Sequence, residues 1–218
     1  MGIVCCFDLG KVLVRICDSW TDAFGRAGLQ HIGEGLDARM QQRDTAPAFR
    51  AQIGADLHAL ERGEISPAEF CERGAKLLGC SPEEVMRSVE VFVHGAYPGA
   101  VALLDDLTLR GVTLACLSNT NLRHWEIMSA WNAPEDAVMS RINVRLGSHE
   151  VASRKPDPEV YRQLELATGA SRDRIVFFDD LADNVAAANA RGWRAFQVTS
   201  KDDPISQIRA QLVALEIL

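Results

Sequence analysis

Hydrophobic and polar positions along the chain fall into two regimes. From residue 94 onward, short apolar runs alternate with amphipathic stretches. The runs "VTLACLS" (112–118), "RIVFF" (174–178), "WRAFQV" (193–198) and the weaker "INVRL" (142–146) are rich in β-branched and aromatic residues and end at turn signals, which predicts strands. Between them the pattern has a helical period. Pro98 opens a helix in which Val101, Leu104 and Leu107 share a face, and Gly111 closes it. Asp157 caps the next, Pro158 takes its first turn, and Val160, Tyr161 and Leu164 form its stripe. Ile205, Ile208, Leu212 and Leu215 line the last. Near the amino terminus "IVCCF" (3–7) reads as a further strand. Strand–helix alternation predicts a parallel sheet with helices on both faces, and such sheets bind ligands at the carboxyl ends of their strands.

The segment 18–93 breaks that alternation and is helical throughout by pattern. Phe49, Ile53, Leu57 and Leu60 recur at helical spacing. Ser66-Pro67-Ala68-Glu69 and Ser81-Pro82-Glu83-Glu84 read as capping boxes. Each precedes an apolar stripe, Phe70, Gly74 and Leu77 in one and Val85, Val89 and Phe92 in the other. The predicted architecture is therefore α/β: a Rossmann-like, doubly wound parallel-sheet core of residues 1–17 and 94–218. An all-helical cap of residues 18–93 is inserted after the first strand. "RICD" (15–18) and "HGAYPG" (94–99) are the expected hinges.

Composition narrows the function. A chain of 218 residues allows one domain with a substantial insertion. A net charge of -7, with dispersed basic residues, argues against nucleic acid as a partner. No apolar run approaches the roughly 18 residues of a membrane span, and Asp8 interrupts the first run too early for a signal peptide. "MGIVCC" has Cys6 where an acylation signal needs Ser or Thr, and a buried first strand would hide Gly2. The six cysteines form no C-x-x-C pair, which fits reduced, structural thiols in a cytoplasmic protein.

Four elements follow predicted strands and carry chemistry. Asp8 ends "IVCCF", Ser118-Asn119 ends "VTLACL", Lys155 stands in "RKPDPEVY", and Asp179-Asp180, with Asp183 beyond, ends "RIVFF". Singly, each is an ordinary cap, turn or surface residue. Together they set an acid cluster, a hydroxyl and a cation at one sheet edge. Adjacent carboxylates do not all ionise readily without a cation, and hard oxygen ligands suit Mg²⁺.

These stretches resemble the haloacid dehalogenase superfamily of phosphohydrolases. "FDLGKVLV", "LSNTN", "RKPDPEVY" and "FFDDLADN" correspond in order and spacing to its four motifs, with a helical cap between the first two. "FDLGKV", "ERGEIS", "LSNTN", "RKP" and "FFDDLADN" are similar more narrowly to bacterial α-D-glucose-1-phosphate phosphatases. The resemblance implies a Mg²⁺-dependent phosphatase acting on a small phosphorylated metabolite. Asp8 would be the nucleophile, forming an aspartyl-phosphate. Asp8, the Gly10 carbonyl and Asp180 would hold the metal, with Asp179 orienting a metal-bound water or pairing with Lys155. Ser118 and Asn119 would bind the phosphoryl group, and Lys155 would neutralise charge on it and on Asp8.

One position departs from that pattern. Most phosphatases of the family carry Asp two residues after the nucleophile, where it protonates the leaving alcohol; here stands Gly10. General acid–base help is worth about 10²–10⁴-fold. A substrate with a good leaving group, such as a sugar 1-phosphate, needs less of it, and the resembling glucose-1-phosphate phosphatases also carry Gly. Alternatively a cap residue, a metal-bound water, Lys11 or Asp183 supplies the proton, or the fold only binds. A 2-haloacid dehalogenase also lacks that Asp, but needs no metal and has no use for Asp179-Asp180. His124 and His149 are expected at the surface or stabilising loops, the tryptophans in packing, and "GEIS" (63–66) at a helix entry. Arg15 and Lys11 lie close to Asp8 along the chain.

Overall fold

The computed structural model describes residues 2–42 and 45–218. In chain order the elements are β1 (Val4–Phe7), β2 (Val14–Ile16), α1 (Trp20–Arg26), α2 (Gln30–Gln41), α3 (Ala46–Glu61), α4 (Pro67–Leu78), α5 (Pro82–Glu90), β3 (Val93–Ala96), α6 (Ala100–Leu109) and β4 (Thr113–Ser118). After these come α7 (Leu122–Ala130), β5 (Val144–Gly147), α8 (Ser148–Val151), α9 (Pro158–Thr168), β6 (Ile175–Asp179), α10 (Ala182–Ala190), β7 (Arg194–Gln197) and α11 (Pro204–Ala214).

Five strands form a parallel sheet in the order β5-β4-β1-β6-β7. The period of two along each strand divides its side chains between two cores. Cys5, Phe7, Leu114, Cys116, Val176 and Phe178 pack on one face with Leu103, Leu104 and Leu107 of α6 and Ile205, Ile208 and Leu212 of α11. Cys6, Ala115, Leu117, Ile175 and Phe177 pack on the other with Val160, Tyr161 and Leu164 of α9 and Trp193. The sheet is thus doubly wound. Its central strand β1 pairs Phe7 with Cys116 and Phe178, so Asp8 emerges between the ends of β4 and β6.

Helices α1–α5 bury a core of their own, with Phe24, Ile32, Leu36, Leu60, Phe70, Val85 and Val89. Ser81 and Glu84 form a reciprocal capping box. Ser66 accepts from the Glu69 amide, but the Glu69 carboxylate turns to Arg73, so that box is half made. Asp157 stands at the head of α9 without a side-chain cap bond, and the buried stripe of α6 runs through Leu103 as well as Leu104 and Leu107.

The segments expected as hinges pair with each other. β2 and β3 form an antiparallel two-stranded ribbon, joining Val14 to Ala96 and Ile16 to Val93. Gly2 is exposed, because β1 starts only at Val4; the expectation that a buried strand would hide it does not hold. All six cysteines are free, and burial pushes the Cys5 and Cys116 thiols up, which suits packing rather than reactivity. Among the described residues no helix is long and apolar enough to cross a membrane.

Candidate active site

The sheet brings Asp8, Ser118, Lys155 and Asp179-Asp180 to one edge. Lys155 Nζ lies 3.0 Å from Asp8 Oδ1 and 2.7 Å from Asp179 Oδ2, with its side chain fully buried. A buried ammonium is tolerated only when paired and hydrogen-bonded. Asn119 holds it in place: the Asn119 Oδ1 accepts from the Lys155 amide at 2.7 Å, and its Nδ2 donates to the Lys155 carbonyl at 2.9 Å. The sequence expectation had Asn119 binding phosphate, whereas its side chain is turned to the Lys155 main chain. Burial acts to lower the Lys155 pKa, but Asp8 and Asp179 outweigh it and hold the group above its ordinary range.

The two neighbouring aspartates differ. Asp179 is fully buried, and both its oxygens are taken. Oδ1 accepts from the Leu181 amide at 2.9 Å and Asn184 Nδ2 at 3.0 Å, and Oδ2 from Lys155 Nζ and again from Asn184 Nδ2 at 3.1 Å. Asp180 is half-buried and opens on a polar cleft of about 730 Å³ that Lys11, Arg15, Tyr97 and Ser200 also line. Asp8 uses Oδ1 to accept from the Leu9 amide at 2.7 Å and from Lys155. Burial, then Asp179 and Asp180, push the Asp8 carboxyl pKa up against the opposing pull of Lys155. Burial and Asp179 likewise raise Asp180.

One oxygen from each of Asp8, Asp179 and Asp180 lies within 4.8 Å of the others. Three carboxylates against one ammonium leave excess negative charge in a confined place. A hard divalent cation relieves it, so this donor set fits Mg²⁺. The turn after Asp8 supports a further oxygen donor. The amides of Val12, Leu13 and Val14 all converge on the Leu9 carbonyl, which leaves the Gly10 carbonyl outside that turn.

Ser118, at the end of β4, lines a separate cavity of about 230 Å³ between the sheet and helices α1–α5, together with Gly10, Trp20, Leu57, Glu61 and Phe92. Those helices are fastened to the rest of the chain around it. Glu61 pairs with Arg154 at 2.8 Å, and Ser148 Oγ donates to the Glu61 carbonyl at 2.5 Å. Arg123 meets Glu90 at 2.6 Å. Gly63, in the left-handed region at φ 67°, lies so close to the core that a Cβ there would collide with the His149 carbonyl oxygen.

The other residues singled out are placed as follows. His124 is buried and plays the stabilising role expected of it, joining α7 to the Val89 carbonyl at the end of α5, at 2.9 Å. Asp183 is exposed in the first turn of α10. Lys11 pairs loosely with exposed Asp18 at 3.8 Å, and Arg15 reaches the His94 carbonyl. Sequence reasoning missed Asn184, which carries Asp179, although the "DDLADN" spacing places it one helical turn beyond the acid pair. It also missed Ser148 and Arg154, whose partners are 87 and 93 residues away in sequence.

A doubly wound sheet whose central strand presents a carboxylate to a buried lysine and an acid pair is the frame of a hydrolase. The chain belongs to the haloacid dehalogenase-like hydrolase family, which it matches over residues 4–192. It is 32% identical over 189 residues to the phosphoglycolate phosphatase of Rhodospirillum rubrum, covering 85% of this chain and 75% of that one. It is 32% identical over 134 residues to phosphatase MT3486 of Mycobacterium tuberculosis, covering 61% of this chain and only 58% of that one. Among solved structures, the haloacid dehalogenase family enzyme bt-2542 of Bacteroides thetaiotaomicron, in complex with magnesium and inorganic phosphate, is similar at a TM-score of 0.72 and 24% identity, over 95% of this chain and 99% of that one.

Proposed function

We propose that this chain is a Mg²⁺-dependent phosphomonoesterase that works through an aspartyl-phosphate on Asp8 and acts on a small phosphorylated metabolite. The observation that carries this reading is the Asp8–Lys155–Asp179 chain at the sheet edge, with Asp180 beside it. Asp8 and Asp180, with the Gly10 carbonyl, are the residues to hold the cation, and saturated Asp179 fixes Lys155 behind them. The cation would supply charge neutralisation for phosphoryl oxygens.

The residues then divide the work. Lys155 reduces the repulsion between the Asp8 carboxylate and an incoming phosphate dianion. Ser118 donates to a phosphoryl oxygen, and Asn119 keeps Lys155 in position. An Asp8 oxygen forms a bond to phosphorus as the bond to the leaving oxygen breaks. That oxygen departs with the electron pair and takes its proton from water. A second water then splits the aspartyl-phosphate, releasing inorganic phosphate and restoring Asp8. The core of residues 1–17 and 94–218 would carry this chemistry and the cap of residues 18–93 would enclose it, a division supported by their separate hydrophobic clusters. The free thiols suit a cytoplasmic setting.

Gly10 supplies no acid, so the reading requires a leaving group that departs readily. A sugar 1-phosphate such as glucose 1-phosphate meets that condition, and so does an aryl or enol phosphate. The direct test is Asp8→Asn, which removes the nucleophile's charge while Lys155 keeps Asp179. Turnover should vanish, with the thermal transition and circular dichroism retained; a variant with substantial phosphatase activity would refute the assignment. Gly10 also suits hydrolysis of a carbon–halogen bond by Asp8, which uses no metal. A chelator separates the two, because only phosphatase activity should be lost.

A further inference from the structure

We infer that the cavity between cap and core selects a planar, apolar leaving group of phenol or enol type, so that the substrate is an aryl- or enol-type phosphate ester rather than a sugar phosphate. This rests on the phosphatase reading above and specifies its substrate class. Two observations converge on it: the chemistry at position 10 and the lining of the cavity.

At position 10 the acid is missing and the space for a side chain is tight. A Cβ built on Gly10 would lie 3.0 Å from Ile16 Cδ1. The end of the Ile16 side chain therefore crowds position 10 and would have to shift by a few tenths of an ångström to admit a side chain there. Neither Gly10 nor its apolar neighbour Ile16 offers a proton, so the hydroxyl must depart as an anion stable enough to leave without one from this position. Phenols and enols are more acidic than sugar hydroxyls.

The rest of the cavity agrees. Its cap side is built from Trp20, Leu57 and Phe92, with Glu61 at the joint. Trp20 and Phe92 form an aromatic pair with ring centroids 4.8 Å apart. The polar side chains are largely engaged with one another. Asn121 and His124 hold each other, His124 also holds the Val89 carbonyl, Asn119 holds Lys155, and Glu61 pairs with Arg154. A hexose would bring several hydroxyls into this space and leave most of them without partners, each an unmatched desolvation penalty. A single ring would replace water on apolar walls. The volume of about 230 Å³ suits it; a cavity of roughly 150 Å³ lined by aliphatic and aromatic groups already holds benzene.

Trp20 sets the depth of the cavity. It also lines a second, apolar cavity of about 240 Å³ inside the cap, among Phe24, Leu36, Met40, Ile53 and Phe70. The indole thus borders both spaces. Shortening it should connect the two spaces and admit a two-ring leaving group.

The test has three arms. In the wild-type enzyme with Mg²⁺, kcat/KM for phenyl phosphate should exceed that for glucose 1-phosphate by on the order of 10²-fold. Leaving-group acidity alone could give that result, so binding is measured as well. Asp8→Asn, which cannot turn over, is titrated with both esters by calorimetry, and phenyl phosphate should bind at least about tenfold more tightly. Trp20→Ala should raise the 1-naphthyl to phenyl phosphate ratio of kcat/KM about tenfold. Trp20→Phe, which keeps an aromatic ring against Phe70 and Phe92, guards against a folding defect and should give a smaller rise in the same direction. Equal or tighter binding of glucose 1-phosphate by Asp8→Asn overturns the inference and leaves the phosphatase reading intact. An unchanged naphthyl ratio in both Trp20 variants overturns it too. Absence of turnover with every ester, with and without Mg²⁺, overturns the phosphatase reading and this inference with it.

Discussion

Replacing His124 should remove a defined part of the protein's sensitivity to acid. The ring is 8% exposed and sits where α7 meets the end of α5. Its Nδ1 faces Asn121 Nδ2 at 3.0 Å, and its Nε2 faces the Val89 carbonyl at 2.9 Å. The Asn121 amide cannot turn round without loss, because its Oδ1 accepts from the His124 amide at 3.1 Å and caps α7. A donor opposite Nδ1 assigns the proton to Nε2, and a second proton on Nδ1 would point at an N–H. Burial pushes the pKa down from 6.5 to about 4, and the bond to Val89 only partly opposes it. The unfolded chain therefore takes up a proton near 6.5 and the folded one only near 4. Between those values the unfolded state binds more protons, so stability is complete above the unfolded pKa and is lost as pH falls through the window. At about 1.36 kcal/mol per pH unit this amounts to about 3 kcal/mol. The assay is urea unfolding of wild type and His124→Gln at a series of pH values from about 7.5 to 4. Contributions of the carboxylates are common to both and cancel in the difference. The wild-type curve should fall about 3 kcal/mol further than that of the variant. Parallel curves would mean that His124 titrates normally and that the joint between cap and core accepts its charge.

The acid pair should separate by experiment. Asp180→Ala should raise the Mg²⁺ concentration needed for half-maximal activity at least tenfold with little change in stability. Asp179→Ala should destabilise the fold by about 3–5 kcal/mol, because it leaves a buried ammonium short of a partner; equal effects on Mg²⁺ affinity and stability in both variants would show the roles misassigned. Gly10→Asp should not by itself improve hydrolysis of simple alkyl phosphates, because Ile16 crowds the position and must give way to a side chain there. The double variant with Ile16→Ala should raise kcat/KM for them by about tenfold or more, and a rise in the single variant would show that Ile16 is no obstacle.

The parts of the site that sequence made legible are those carried by strand ends. Each of Asp8, Ser118 and Asp179 terminates an apolar run, and parallel alternation alone brings such ends to one edge. Lys155 was legible by its motif but not its burial, since nothing local tells a solvated lysine from one held between two carboxylates. The ribbon of β2 and β3 was not legible as strands. Each is only three or four residues long, and their pairing joins residues some eighty positions apart. The two segments were expected as hinges, and pairing is what satisfies the backbone there. The cap–core fastening by Ser148, Arg154 and His124 was hidden for the same reason. A polar side chain declares its partner only when the fold is closed.

Position 10 shows how such a hidden partner changes a functional argument. A glycine in place of an aspartate invites an explanation by conformational freedom. The structure moves that explanation by one residue: Lys11, not Gly10, holds the left-handed conformation, at φ 59°. Gly10 has no comparable backbone demand, so its lack of a side chain answers to space rather than to torsion. That space is crowded by the end of the Ile16 side chain, which comes from the β2–β3 ribbon. Ile16 thereby narrows position 10 and gives it an apolar neighbour. Loss of proton donation and gain of an apolar surface are then two consequences of one packing arrangement. On the substrate class inferred above, an acidic and apolar hydroxyl compound would meet both conditions and a sugar only the first in part.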